Sequence, residues 1–177
     1  MEYYFINQND QYQTLVEVSP YSGSLADLGL KLNHGNNNQK SLLDFNDDDS
    51  NLPRGSDIYT AFSPVLIFTD KAIKYLSDLN GMERNIEIAV DFPEQNLKAI
   101  IVNNLVLGGL DKKHSNYDEY DNGFVIFSHV LKRACVADHD IFRIEESPSC
   151  VFVSEIFKAR VEASGLKGFL FRKVLTI

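Results

Sequence analysis

Hydrophobic positions along this chain recur sometimes every second residue and sometimes every third or fourth, and the changes of period divide it into short elements. Glu2 to Ile6 and Gln13 to Val18 each read as a strand, the second by alternation of Leu15 and Val16 with polar neighbours. Val65 to Phe68 is a short apolar run after Pro64. Thr69 and Asp70 then cap a helix through Asp78, with Ala72, Ile73, Tyr75, Leu76 and Leu79 on one face and Asn80-Gly81 ending it. Ile86 to Phe92 alternates, and Leu97 to Leu107 is a long β-branched run closed by Gly108-Gly109, which predicts two strands joined around Pro93-Glu94-Gln95-Asn96. Gly123 to Phe127 is a further strand, while His129 to Ala137 fits either a strand or a helix. Ile141 to Ile144 and Cys150 to Val153 flank Glu145-Glu146-Ser147-Pro148-Ser149, the composition of a tight hairpin turn. Ser154 caps a last helix whose apolar face is Ile156, Phe157, Val161 and Leu166, closed by Gly165, and Gly168 to Val174 alternates as a final strand. The order of elements predicts an α+β fold: a mixed, mainly antiparallel sheet packed with a few helices.

Two stretches interrupt this pattern. Asn33 to Lys40 and Asp44 to Asn51 are too polar to bury and read as loops. Residues 1–57 are therefore expected to form N-terminal strands plus an acidic Asn/Asp-rich loop, either within one domain or appended to it, with residues 58–177 as the folded α+β domain. At 177 residues one domain is the natural count, and 44% hydrophobic with 24% charged residues is ordinary for a globular chain.

Charge changes the picture more than composition does. The net charge is −8, of which −6 falls in residues 1–60, and the pI is about 4.9, so the field that phosphate backbones require is missing and direct nucleic-acid binding is not expected. No apolar stretch approaches the roughly 18 residues that span a bilayer, and Met1 to Gln8 lacks the basic and apolar regions of a signal peptide, so no membrane partner is expected. Cys135 and Cys150 are too few for a disulfide framework and suit buried thiols in a reducing, cytoplasmic compartment.

Signatures of catalysis are missing from the sequence. Gly108-Gly109 has neither the Lys-Ser/Thr nor the glycine spacing of a phosphate loop, and H-E-x-x-H, C-x-x-C and G-x-S-x-G are absent. His129, Cys135, Asp138, His139 and Asp140 are the densest group of possible ligands, but their spacing matches no zinc pattern, and no metal or cofactor is assigned. His129 and His139 with nearby acids leave one catalytic alternative, a small hydrolase or transferase using acid–base groups. The acidic clusters offer a different chemistry. Tyrosines interleaved with carboxylates in Tyr117-Asp118-Glu119-Tyr120-Asp121 can bury area against a basic protein while the acids speed its approach. Asp44, Asp47, Asp48, Asp49 and Asp57 carry the same sign, and these ten residues are the candidate partner-binding set.

Three segments carry a family resemblance: Asp140-Ile141-Phe142-Arg143-Ile144, then Val151-Phe152-Val153-Ser154-Glu155-Ile156-Phe157, then Ala163-Ser164-Gly165-Leu166-Lys167-Gly168-Phe169-Leu170-Phe171. With Leu110-Asp111-Lys112-Lys113-His114-Ser115 they resemble the bacterial immunity proteins of polymorphic toxin systems, first catalogued as a domain of unknown function from a myxobacterial protein, in a match that covers about residues 58 to 174. The resemblance implies a protein without catalytic activity that protects its producer by binding a cognate toxin or effector domain, often one delivered by contact-dependent or type VI secretion. It implies no catalytic residues and leaves the oligomeric state open.

Overall fold

The structure is a computed structural model and describes residues 1–19, 24–30 and 40–177. The polar stretch at 33–39 lies outside the described residues.

The first predicted strand is β1 (Tyr3–Gln8), and its place is the interior of the largest sheet. That sheet has the order β12 (Val130–Leu131), β15 (Phe169–Thr176), β1, β14 (Ser147–Ser154), β13 (Ile141–Ile144) and β9 (Leu105–Val106). β1 is antiparallel to both neighbours, with Tyr3 opposite Ser154 on one side and Val174 on the other. The outermost pairs, β12 with β15 and β13 with β9, are parallel. A four-stranded antiparallel sheet follows the order β4 (Ile58–Tyr59), β5 (Val65–Thr69), β8 (Leu97–Ile101), β6 (Ile86–Ile88). β2 (Leu15–Ser19), β3 (Ser41–Phe45) and β7 (Val90–Asp91) form a three-stranded mixed sheet, and β10 (Asn116–Tyr120) with β11 (Gly123–Ser128) forms a separate hairpin. The helices are α1 (Leu25–Leu30), α2 (Asp70–Leu76), α3 (Arg133–Val136) and α4 (Glu155–Ala163). This is the α+β arrangement that the pattern predicts.

The helix starts follow from their caps. Thr69 Oγ1 accepts from the Ala72 amide at 3.2 Å and Ser154 Oγ accepts from Phe157 at 3.2 Å, each satisfying one amide that the first turn leaves open. Ala72, Leu76, Phe157 and Val161 then face a shared core with Ile58, Leu66, Phe68, Ile141, Val151 and Val153. Two residues depart from the expected faces: Tyr75 and Ile156 are exposed, because each lies off the edge of the stripe that meets the sheet. The two cysteines also depart, being half-buried free thiols.

The long run from Leu97 to Leu107 is two strands, not one. Asn104, itself buried, breaks it: its amide donates to Ile141 O at 2.9 Å and its oxygen lies 3.3 Å from an Arg84 nitrogen, which turns the chain from one sheet into another. The open segment at 129–137 also divides, into β12 and α3. β13 and β14 form the predicted hairpin, with Phe142 opposite Phe152 and their rings stacked at 5.6 Å. Arg143 is fully buried beside them and donates to Gly29 O at 3.2 Å and Pro148 O at 3.0 Å, which ties α1 to this hairpin.

Candidate functional site

The N-terminal acids divide by what their oxygens do. Asp44 is exposed on β3, and its Oδ1 accepts from the Phe45 amide. Asp47, Asp48 and Asp49 form a 3-10 turn because Asn46 caps it, its Oδ1 accepting from the Asp48 amide at 3.1 Å. Asp47 and Asp48 are exposed, whereas Asp49 Oδ2 turns in to accept from Thr14 N at 3.0 Å and Thr14 Oγ1 at 2.7 Å. Asp57 is buried: its carboxylate accepts from Thr69 Oγ1 at 2.8 Å and Lys167 N at 2.8 Å, and Lys71 Nζ lies 3.7 Å away. Asp57 thus ties the end of β5 to the connection between α4 and β15 and does not share the solvent face of Asp47 and Asp48.

The mid-chain cluster is a strand, although its polarity reads as a loop. Tyr117, Asp118, Glu119 and Tyr120 lie on β10 opposite Ile126, Val125, Phe124 and Gly123, and Asp121-Asn122 forms the turn. Strand alternation separates the cluster into two faces. Tyr117 and Ile126 pack against the core around Phe142 and Phe152, and on the same face Lys112 Nζ sits 4.4 Å over the Phe124 ring and 3.4 Å from Glu119. Asp118, Tyr120 and Val125 take the opposite face, with Tyr120 56% and Val125 48% exposed. Phe127, skipped where the register shifts between Asn116 and Tyr117, is 63% exposed. A bulge of this kind re-aims a side chain. The resulting patch combines a carboxylate, a phenol and two apolar side chains. The sequence signal for Val125 and Phe127 was present: Phe124 to Phe127 is apolar at every position, more than a hairpin with one buried face can hide.

The two histidines of the catalytic alternative sit apart from this patch in chemistry. His129 packs edge-on against Phe5 at 4.8 Å and Phe152 at 5.6 Å, its Nε2 is buried without a partner, and burial pushes its pKa down to about 4. His139 Nδ1 lies 3.1 Å from Asn104 Nδ2, and burial together with Arg84 holds its pKa below the usual value. The rings contact different members of the stacked Phe142/Phe152 pair, His139 the first and His129 the second. Cys135 is half-buried against the same core, and among the described residues no three His, Cys, Asp or Glu side chains group as a metal cluster. No helix of the described residues is long and apolar enough to cross a membrane.

One polar depression of about 370 Å³ is lined by Asp57, Thr69, Asp70, Lys71, Gln95 and Asn96, and Asp57 spends its carboxylate on the fold. The exposed hairpin, with Tyr120, Val125 and Phe127 at its surface, is the candidate for recognition. No curated protein matches the chain. Residues 100–176, which run from the end of β8 through β15 and include the hairpin, match the model of the immunity protein family Imm11, and this part of the chain is similar to that family.

Proposed function

We propose that this chain is an immunity protein that binds and neutralises a cognate toxin effector through a protein–protein interface, facing a basic toxin surface. The observation that carries the reading is the family match over the segment that bears the hairpin. Two properties support it. A net charge of −8 favours rapid capture of a cationic domain, and Tyr120, Val125 and Phe127 supply area that becomes dry on contact. In this reading the protein works by occupancy, in the cytoplasm, with no cofactor.

The test is a tagged pull-down of the chain co-expressed with the product of the gene beside its own, washed at low and at high salt. A stoichiometric complex is expected, and its loss at high salt identifies the acidic surface as the main contact. If no complex forms at either salt, and co-expression does not relieve growth arrest by that product, the reading fails.

A further inference from the structure

The β10–β11 hairpin is unlike the other sheets in its edges. Among the described residues each of its strands pairs only with the other, so both outer backbones are open. Elsewhere the sheets end on short strands: β9, β12, β4 and β7 have two residues and β6 has three. Short edges are one way a fold avoids unwanted pairing. The remaining outer strand, β2, carries Glu17 at its centre. β11 has six residues, Gly123-Phe124-Val125-Ile126-Phe127-Ser128, with no charge and no proline. It lacks the usual protections apart from the register shift beside Phe127.

Ladder geometry says which groups are open. Counting from the two-residue turn Asp121-Asn122, Tyr120 with Gly123 and Asp118 with Val125 exchange backbone hydrogen bonds, and the intervening Phe124 and Ile126 turn their N–H and C=O groups to the free side. The charges on the outer face are of one sign: Asp118 lies on the strand and Asp121 at the turn, while Lys112 is engaged on the inner face. We infer that the β11 edge receives an extended segment of the toxin as a third strand, a segment in which Lys or Arg alternates with β-branched or aromatic residues. This rests on the immunity reading above. Backbone pairing with Phe124 and Ile126 supplies affinity, and Asp118, Tyr120, Val125 and Phe127 select the side chains that lie over them. A second copy of this chain is the weaker occupant, since each copy brings a charge of −8.

The experiment uses the full chain and a catalytically inactivated product of the neighbouring gene as the probe. Backbone amide exchange is followed residue by residue, with and without the probe, and binding is measured for wild type and for V125K and F127K, both at exposed positions. The amides of Phe124 and Ile126 are expected to slow by at least about tenfold in the complex. Each variant is expected to weaken binding by about tenfold or more while keeping the circular dichroism of the wild type. A complex in which β11 amides exchange as in the free protein overturns the edge pairing and leaves the immunity reading standing. Absence of any complex overturns both. Slowing of the same amides when the chain alone is concentrated, with a dimer in sedimentation, replaces the toxin strand by a second copy and also overturns the inference.

Discussion

Ser154 connects three elements through one hydroxyl. Its Oγ donates to Asp140 Oδ1 at 2.6 Å, accepts from the Phe157 amide, and is fully buried where β14 becomes α4. Ser154→Ala leaves both partners without it, and the expected loss is about 1–3 kcal/mol in urea unfolding. His129 gives a pH dependence of definite sign. Its pKa falls from 6.5 to about 4 on folding because burial beside Phe5 and Phe152 disfavours the charged ring. Above pH 6.5 neither state binds the proton, and full stability is present. Between pH 6.5 and 4 the unfolded chain takes up a proton that the folded chain refuses, so stability falls, by up to about 3 kcal/mol. His139 shifts in the same direction and adds to the loss. Urea midpoints at pH 7.5 and 4.5 are expected to differ less in His129→Gln than in the wild type. Both residues were visible in the sequence, but only Ser154 had a readable role. A cap is a local event three residues long, whereas the surroundings of His129 come from β1 and β14.

The same contrast holds for elements. α2, α4 and the β13–β14 hairpin were legible because caps and turn residues lie within a few positions of what they control. β10 was not, since Asn116 to Tyr120 is polar or half-polar throughout and becomes a strand by pairing with β11. The break at Asn104 was equally hidden, because the partners that fix its side chain, Ile141, His139 and Arg84, are at least 20 positions away. Connections between elements carry their own constraints. Gly168 leads from α4 into β15 with φ of 80°, and a Cβ there would collide with Ser56 Oγ. Gly165 has φ of 60° but open space around it. Gly165→Ala is expected to cost about 1 kcal/mol and Gly168→Ala at least about 3 kcal/mol, compared by thermal unfolding. Equal costs would mean that the contact with Ser56 relaxes freely.

Across the whole molecule, the ten candidate residues of the sequence resolve into groups with different tasks. Asp57 and Asp49 hold loops together, Tyr117 packs inward on the hairpin, Glu119 is exposed on that same face beside Lys112, and Asp44, Asp47, Asp48, Asp118, Tyr120 and Asp121 are exposed elsewhere. Composition revealed the sign of the surface, but the split into faces depends on strand alternation in an element that composition disguises. Reversing Asp118 and Asp121 to Lys is expected to slow association with the proposed toxin partner by about tenfold at low salt, and reversing Asp47 and Asp48 by less. Stopped-flow rates over a salt series check this, and equal slowing would assign steering to the net charge instead of the hairpin.

The interior position of β1 also ties the family-like segment to the start of the chain. β14 and β15 both pair with β1, so residues 100–176 alone would leave a one-strand gap in the largest sheet. That fragment is expected to show no cooperative unfolding transition. In time, the arrangement means that β1 waits for β15 before both of its edges are paired. At roughly 5–20 residues per second the ribosome needs roughly 10–30 s between releasing β1 and β15. Until then Tyr3, Tyr4 and Ile6 have only the β14 side of their strand to pair with, and the largest sheet waits for its closing strand.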